Sequence, residues 1–423
     1  MNGIRRINRA WAGLLVLALT GPAAAEDLAA AAKNPPKDPD AALALGRALR
    51  RAGLFDDGVR VLRGAAQRGK GAVVVAARTE AARTLIAASR QKDALKECAT
   101  LKAQTPVRWE TCVAEAHLLW KRASLALPAA DRALAVASDD YDALVAKGRA
   151  LRMLGQNAEA HAAFQAALAK DGARHEAPMF HAELLSGMGK GSEAVTALRK
   201  AVAAAPDEPE PLLALASALP AGAEATDLLN KALGIRAKYG AARARLGEVQ
   251  LELGKVAEAE AAFRAAIAID PKVADWQAGL ARALVAKNDW DEALKVSALA
   301  LKLVGNHALA KLAEADAIAG KGDIDLAIEA YEKAASYSRD NPGPLVHAAR
   351  ACLAQNRPTT ARAFADRATQ SFAEFAPAWA ILGDVAVAAK DKATAKAAYQ
   401  KALSATRGSI DKAAIKKKLA AIR

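Results

Sequence analysis

Small and large apolar residues recur along this chain at a fixed interval. Residues 254–271 read GKVAEAEAAFRAAIAIDP and residues 155–172 read GQNAEAHAAFQAALAKDG, with eleven of the eighteen positions identical. Extended both ways, the pattern sets repeat starts at Pro39, Val75, Val107, Tyr141, His175, Pro209, Gly240, Ala274, Ala308, Pro342 and Ala376, and seven of the ten spacings are 34 residues. Position 8 is glycine or alanine in all eleven repeats, and position 20 is alanine in ten, with Gly58 in the first. Residues without bulk are what two closely crossing helices require at the crossing. Position 24 carries a ring in Phe164, Phe263, Tyr331 and Tyr399, while Ala130, Ser297 and Ala365 depart from it and predict looser packing. Proline or glycine at position 32 (Pro106, Gly172, Pro206, Pro271, Gly305) stops a second helix before the next begins. The pattern therefore predicts two helices per repeat. The repeat at Pro209 is three residues short, near residues 220–222.

Composition supports helices. The 423 residues are 53% hydrophobic but only 4% aromatic. The apolar content is mostly alanine and small aliphatics, and alanine loses no side-chain entropy in a helix.

A period of 34 with small residues at 8, 20 and 27, a large one at 24 and proline at 32 resembles the tetratricopeptide repeat (TPR) family. The resemblance implies an all-α, right-handed superhelical solenoid of about eleven helix–turn–helix repeats over residues 39–409. Residues 410–423 (IDKAAIKKKLAAIR) read as a basic amphipathic helix that caps the array. Residues 26–38, with Pro35 and Pro36, read as a flexible lead.

The first 25 residues stand apart. Arg5, Arg6 and Arg9 precede a short apolar run, WAGLLVLALT, and then Ala23, Ala24 and Ala25. This is the layout of a secretory signal peptide. The run is half the roughly twenty residues a membrane-spanning helix needs. We therefore expect an exported chain, in the periplasm, with no transmembrane segment after cleavage. The net charge of +14 falls by three when the leader arginines go. Export argues against nucleic acid as partner, so the charge points to an anionic envelope component or an acidic protein.

Chemistry is sparse. His117, His161, His175, His181, His307 and His347 scatter over different repeats with no metal-ligand spacing. The glycine-rich GMGKGS at residues 187–192 lacks the ending of a phosphate loop and follows no strand. No nucleophile–base arrangement stands out, so we expect no enzyme, no cofactor and no metal. Cys98 and Cys112 fall on neighbouring helices that pack in such an array, which makes a disulfide possible in an oxidising compartment. Two buried free thiols are the alternative.

The resemblance places partners along the inner face, formed by the first (A) helices, at positions such as 2, 5, 9, 12 and 13. The lysine-5 and asparagine-9 clamp of TPR co-chaperones is absent. Position 5 carries Leu43, Val145, Met179, Leu213, Leu312 and Val346, an apolar set suited to a partner surface. Position 9 alternates in sign over much of the chain, through Arg83, Glu115, Arg149, Glu183, Arg282, Asp316, Arg350 and Asp384. Either these form a ladder of ion pairs between repeats, or Arg149, Glu183, Asp316 and Arg350 belong to a ligand site. Arg47, Arg50 and Arg51, with Arg149 and Arg152, offer guanidinium groups to an acidic segment. By resemblance the expected function is a protein-interaction scaffold for other envelope proteins, in outer-membrane assembly, exopolysaccharide secretion or a motility or secretion apparatus. Binding of anionic polysaccharide or peptidoglycan by those arginines is the alternative.

Overall fold

A computed structural model describes residues 23–422 of the chain. Among the described residues every named element is an α-helix. A first helix, Ala23–Lys33, precedes eleven helix pairs, from Pro39–Arg51 with Phe55–Arg68 to Ala376–Ala388 with Lys392–Ser404. Lys412–Ala420 closes the chain. The A helices begin at Pro39, Ala72, Pro106, Tyr141, Glu176, Pro209, Gly240, Ala274, Ala308, Gly343 and Ala376. Consecutive helices pack on one another from Ala23–Lys33 to Ala223–Ile235, and again from Val256–Ile269 to Lys412–Ala420. The chain divides into two compact bodies between Arg245 and Leu246.

The small positions are crossings, as their chemistry requires. A Cβ added at Gly148 would lie 2.7 Å from the Phe164 ring, and one at Gly383 would lie 2.3 Å from Tyr399. The position-20 residues Ala94, Ala126, Ala160, Ala259 and Ala395 are fully buried beneath neighbouring helices. Several helices start on a capping aspartate: Asp38, Asp140, Asp323, Asp391 and Asp411 each accept from a backbone N–H of the first turn. The A–B turn has its own device. Position 15 has a positive φ in ten repeats, at Gly53, Ser89, Lys121, Gly155, Gly189, Gly254, Asn288, Gly322, Asn356 and Lys390. The short repeat at Pro209 turns instead through extended Gly222.

Two expectations need correction. Part of the lead at residues 26–38 is helix, not flexible coil. Its Leu28 and Ala32, one turn apart, are buried against Leu43, Leu45 and Leu49. The proline stretch is held as well, because Arg68 donates to the carbonyls of Pro36 and Lys37. Alanine-rich composition and one apolar stripe form the helix, and the two prolines lie beyond its end. Second, position 5 is mostly packing surface. Leu43, Val145, Leu312 and Val346 are buried and only Met179 and Leu213 are half-exposed, because adjacent A helices cover this position. The predicted leader lies outside the described residues, except Ala23–Ala25, which begin the first helix.

Candidate functional site

In the amino-terminal body, six A helices or their leading loops contribute charged side chains to one wall. Asp142, at position 2, faces three arginines: it accepts from Arg108 at 2.5 Å and Arg174 at 2.6 Å and forms an ion pair with Arg83 at 2.9 Å. Burial would raise its pKa, but the three guanidinium groups hold it well below the usual carboxylate range. Arg83 also reaches Glu115 at 3.1 Å, a rung of the predicted position-9 ladder. Arg174 bonds Glu176 at 2.8 Å and lies 4.0 Å over the Tyr141 ring. Burial pushes the Tyr141 phenol up, and its oxygen accepts from the Ala177 N–H.

The ladder does not continue in register. Arg47 turns to Glu80 at 3.4 Å, and Glu183 takes Arg152 at 2.6 Å. Arg149 stacks 4.0 Å over the Phe180 ring. In the carboxy-terminal body, Asp316 accepts from the Tyr331 hydroxyl at 2.7 Å and meets His347 at 3.0 Å. Asp384 accepts from Tyr399 at 2.6 Å and from Lys418 of the last helix at 2.7 Å. Asp316 and Asp384 thus use the position-24 hydroxyl of their own repeat, and Arg350 stays exposed.

The amino-terminal body also makes a contact that no repeat pattern announces. Arg50 and Arg51, at the end of the first A helix, both bond Glu208 just before the sixth, at 3.0 and 2.8 Å. Arg236, at the end of the sixth B helix, donates to the Arg51 carbonyl at 2.9 Å and to Glu210 at 2.7 Å. Arg236 also lies 4.7 Å over the Tyr239 ring. A cation on the free carbonyls of a helix end complements the helix dipole. Glu208 and Arg236 are each only 6% exposed. This clasp closes the first repeat onto the sixth.

Behind the clasp lies a cavity of about 300 Å³. Three arginines (Arg50, Arg83, Arg149) and six carboxylates, among them Glu115, Glu208 and Glu210, line it beside Ile86, Val145, Met179 and Phe180. A larger hollow of about 590 Å³ lies beside Leu127, Leu134 and Leu151, and one of about 420 Å³ beside Phe372 and Phe375. Neither gathers so many ionisable groups, so the smaller cavity is the candidate site. Of the predicted groove residues, Arg50, Val145, Arg149 and Met179 meet there. Arg47 and Arg51 pair with Glu80 and Glu208 at the clasp, while Glu183 and Arg152 pair with each other. Leu213, Leu312, Asp316, Val346 and Arg350 lie elsewhere. Sequence reasoning missed Asp142, Glu176 and Glu210, although all three occupy position 2, a recurrence that was there to be read. Nothing in the pattern flagged Glu208 or Arg236.

Cys98 and Cys112 are joined by a disulfide across Cα atoms 5.6 Å apart, and Cys352 is a buried free thiol. His161 and His181 share a hydrogen bond at 2.8 Å beside Phe164. Among the described residues, no group of three metal-ligating side chains occurs and no helix is long and apolar enough to cross a membrane.

Sequence profiles of the tetratricopeptide repeat match residues 251–316 and 319–385, residues 21–73, 121–175 and 223–274, and residues 376–408. Among solved structures, yeast Tom70 is similar at 13% identity and a TM-score of 0.48, over 91% of this chain and 95% of that one. The APC/C hetero-tetramer Cut9-Hcn1 gives 13% and 0.47, over 94% of this chain and 92% of that one. A tetratricopeptide repeat protein from Parabacteroides merdae gives 16% and 0.43, over 67% of this chain and 98% of that one. No curated protein sequence matches the chain.

Proposed function

Because the chain belongs to the tetratricopeptide repeat family, we propose that it is an exported, non-enzymatic scaffold that binds other cell-envelope proteins along its A helices. The observation that carries this reading is the display at position 9. There the first, fifth, sixth and tenth A helices present Arg47, Glu183, Ser217 and Arg350 to solvent, with different chemistry in each. Within the amino-terminal body, equivalent but chemically distinct side chains on neighbouring A helices, Glu183 and Ser217, suit recognition of an extended segment, one residue group per repeat. Export is supported by the leader composition and by the Cys98–Cys112 disulfide, which persists in oxidising compartments. The periplasm fits both.

The arginine-rich first repeat contributes little to the reading of an anionic glycan, because Arg47, Arg50 and Arg51 are taken by Glu80 and Glu208.

Site-specific photo-crosslinking in the native host tests the scaffold. A photoreactive residue replaces Ser217 or Arg350 on the A helices, or Leu125 on a B helix as control. Discrete protein adducts from Ser217 or Arg350 and none from Leu125 are expected. Adducts from Leu125 alone, or none at any position, would refute binding along the A helices.

A further inference from the structure

The cavity in the amino-terminal body holds one guanidinium that no carboxylate takes. Its neighbours are committed: Arg50 to Glu208, Arg83 to Glu115 and Asp142, Arg152 to Glu183, and Arg236 to Glu210. Arg149 makes no hydrogen bond or ion pair among the described residues. Its two position-9 neighbours, Glu115 and Glu183, are the carboxylates that Arg83 and Arg152 occupy. Loss of surrounding water lowers its pKa despite the attraction of Glu115 and Glu183. Arg149 is half-buried and its nitrogens are not sealed off, so its five unpaired donors are open to a ligand in the cavity. The Phe180 face satisfies its charge in part, but none of its directional donors.

The rest of the wall narrows what fits. Ile86, Met179 and Phe180 are half-exposed and supply an apolar side. Carboxylates outnumber arginines in the lining, six to three. Glu80 and Glu208, both at least nine-tenths buried, each keep an Oε2 with no hydrogen-bond partner, although that of Glu80 lies 3.7 Å from Arg50 Nε. A plain anion would meet those carboxylates, and a plain cation would meet Arg149. A molecule carrying both charges meets neither conflict. The volume, about 300 Å³, suits one or two amino-acid residues, at the lower end of ligand pockets.

We propose that this cavity binds a small zwitterion of amino-acid or dipeptide size. Its carboxylate sits on Arg149, its apolar side chain lies against Phe180, Met179 and Ile86, and its ammonium group faces the carboxylate-rich side. This site does not depend on the protein partner of the scaffold, so either can fail without the other.

Calorimetric titration of the signal-cleaved full chain tests it. The probes are L-leucine, L-phenylalanine and L-leucyl-L-leucine, with the amide of each and the analogue of each lacking the amino group. At least one zwitterion should bind saturably, with its amide and its deaminated analogue at least about tenfold weaker, the loss expected for a charge-assisted hydrogen bond. Arg149→Gln should weaken binding by the same factor or more, and Arg149→Lys by less, with unchanged circular-dichroism melting. No saturable binding by any probe, an amide as tight as its acid, or undiminished binding by Arg149→Gln would overturn the proposal. The comparison of acid with amide on the native chain decides the matter even where the variants fold poorly.

Discussion

Phe263 shows how single residues fix the packing. A Cβ at Gly247 would lie 2.9 Å from its ring, and one at Gly279, on the next A helix, only 2.3 Å. The ring is 1% exposed and has no room to retreat. Gly279→Ala should therefore destabilise the carboxy-terminal body by about 1–3 kcal/mol, the usual cost of overpacking, read as a lower urea midpoint with unchanged slope. This level was legible in the sequence, because positions 8, 20 and 24 answer to sterics between helices a fixed distance apart. Position 9 was legible only as a pattern of charge. Its partners depend on which donor lies nearest, and the hydroxyls of Tyr331 and Tyr399 reach Asp316 and Asp384 before any arginine does. Burial of position 5 was misjudged for a related reason. Residues facing the inner side of an isolated helix are covered once the next A helix packs beside it.

Among the elements, the A–B turn is the most uniform. Ten repeats place position 15 in the left-handed region, yet half of them use Ser89, Lys121, Asn288, Asn356 or Lys390 rather than glycine. A side chain there is strained, and glycine relieves the strain although it gives up more backbone entropy on folding. Lys390 is exposed. Lys390→Gly should raise stability by about 0.5–1 kcal/mol, measurable as a higher urea midpoint. The exception teaches the same point. Three missing residues at the turn of the sixth repeat remove the left-handed position altogether, and the chain passes through Gly222 instead. The first helix was not foreseen because two prolines close to it suggested coil. They lie beyond its end at Lys33, where they merely stop it.

At the scale of the molecule, the two bodies solve different problems. The carboxy-terminal body ends on Lys412–Ala420, whose Ile415 is buried and whose Lys418 reaches Asp384, so the array finishes on a polar face. The amino-terminal body closes its first repeat against its sixth, through residues about 160 positions apart. No repeat pattern encodes that contact, because it depends on the accumulated rotation of five repeat junctions and the shortened sixth repeat. The cavity with Arg149 exists only because this closure forms a wall around it. The closure is therefore the claim on which the candidate site stands, and a double-mutant cycle on Arg51 and Glu208 tests it most directly. Urea unfolding of the native chain, Arg51→Ala, Glu208→Ala and the double variant gives the interaction energy between two residues far apart in sequence. A coupling of about 1 kcal/mol or more is expected for a largely buried charge pair in direct contact. Additive effects, with coupling within about 0.3 kcal/mol of zero, would show that the two residues do not meet in solution and would contradict the closed inner wall.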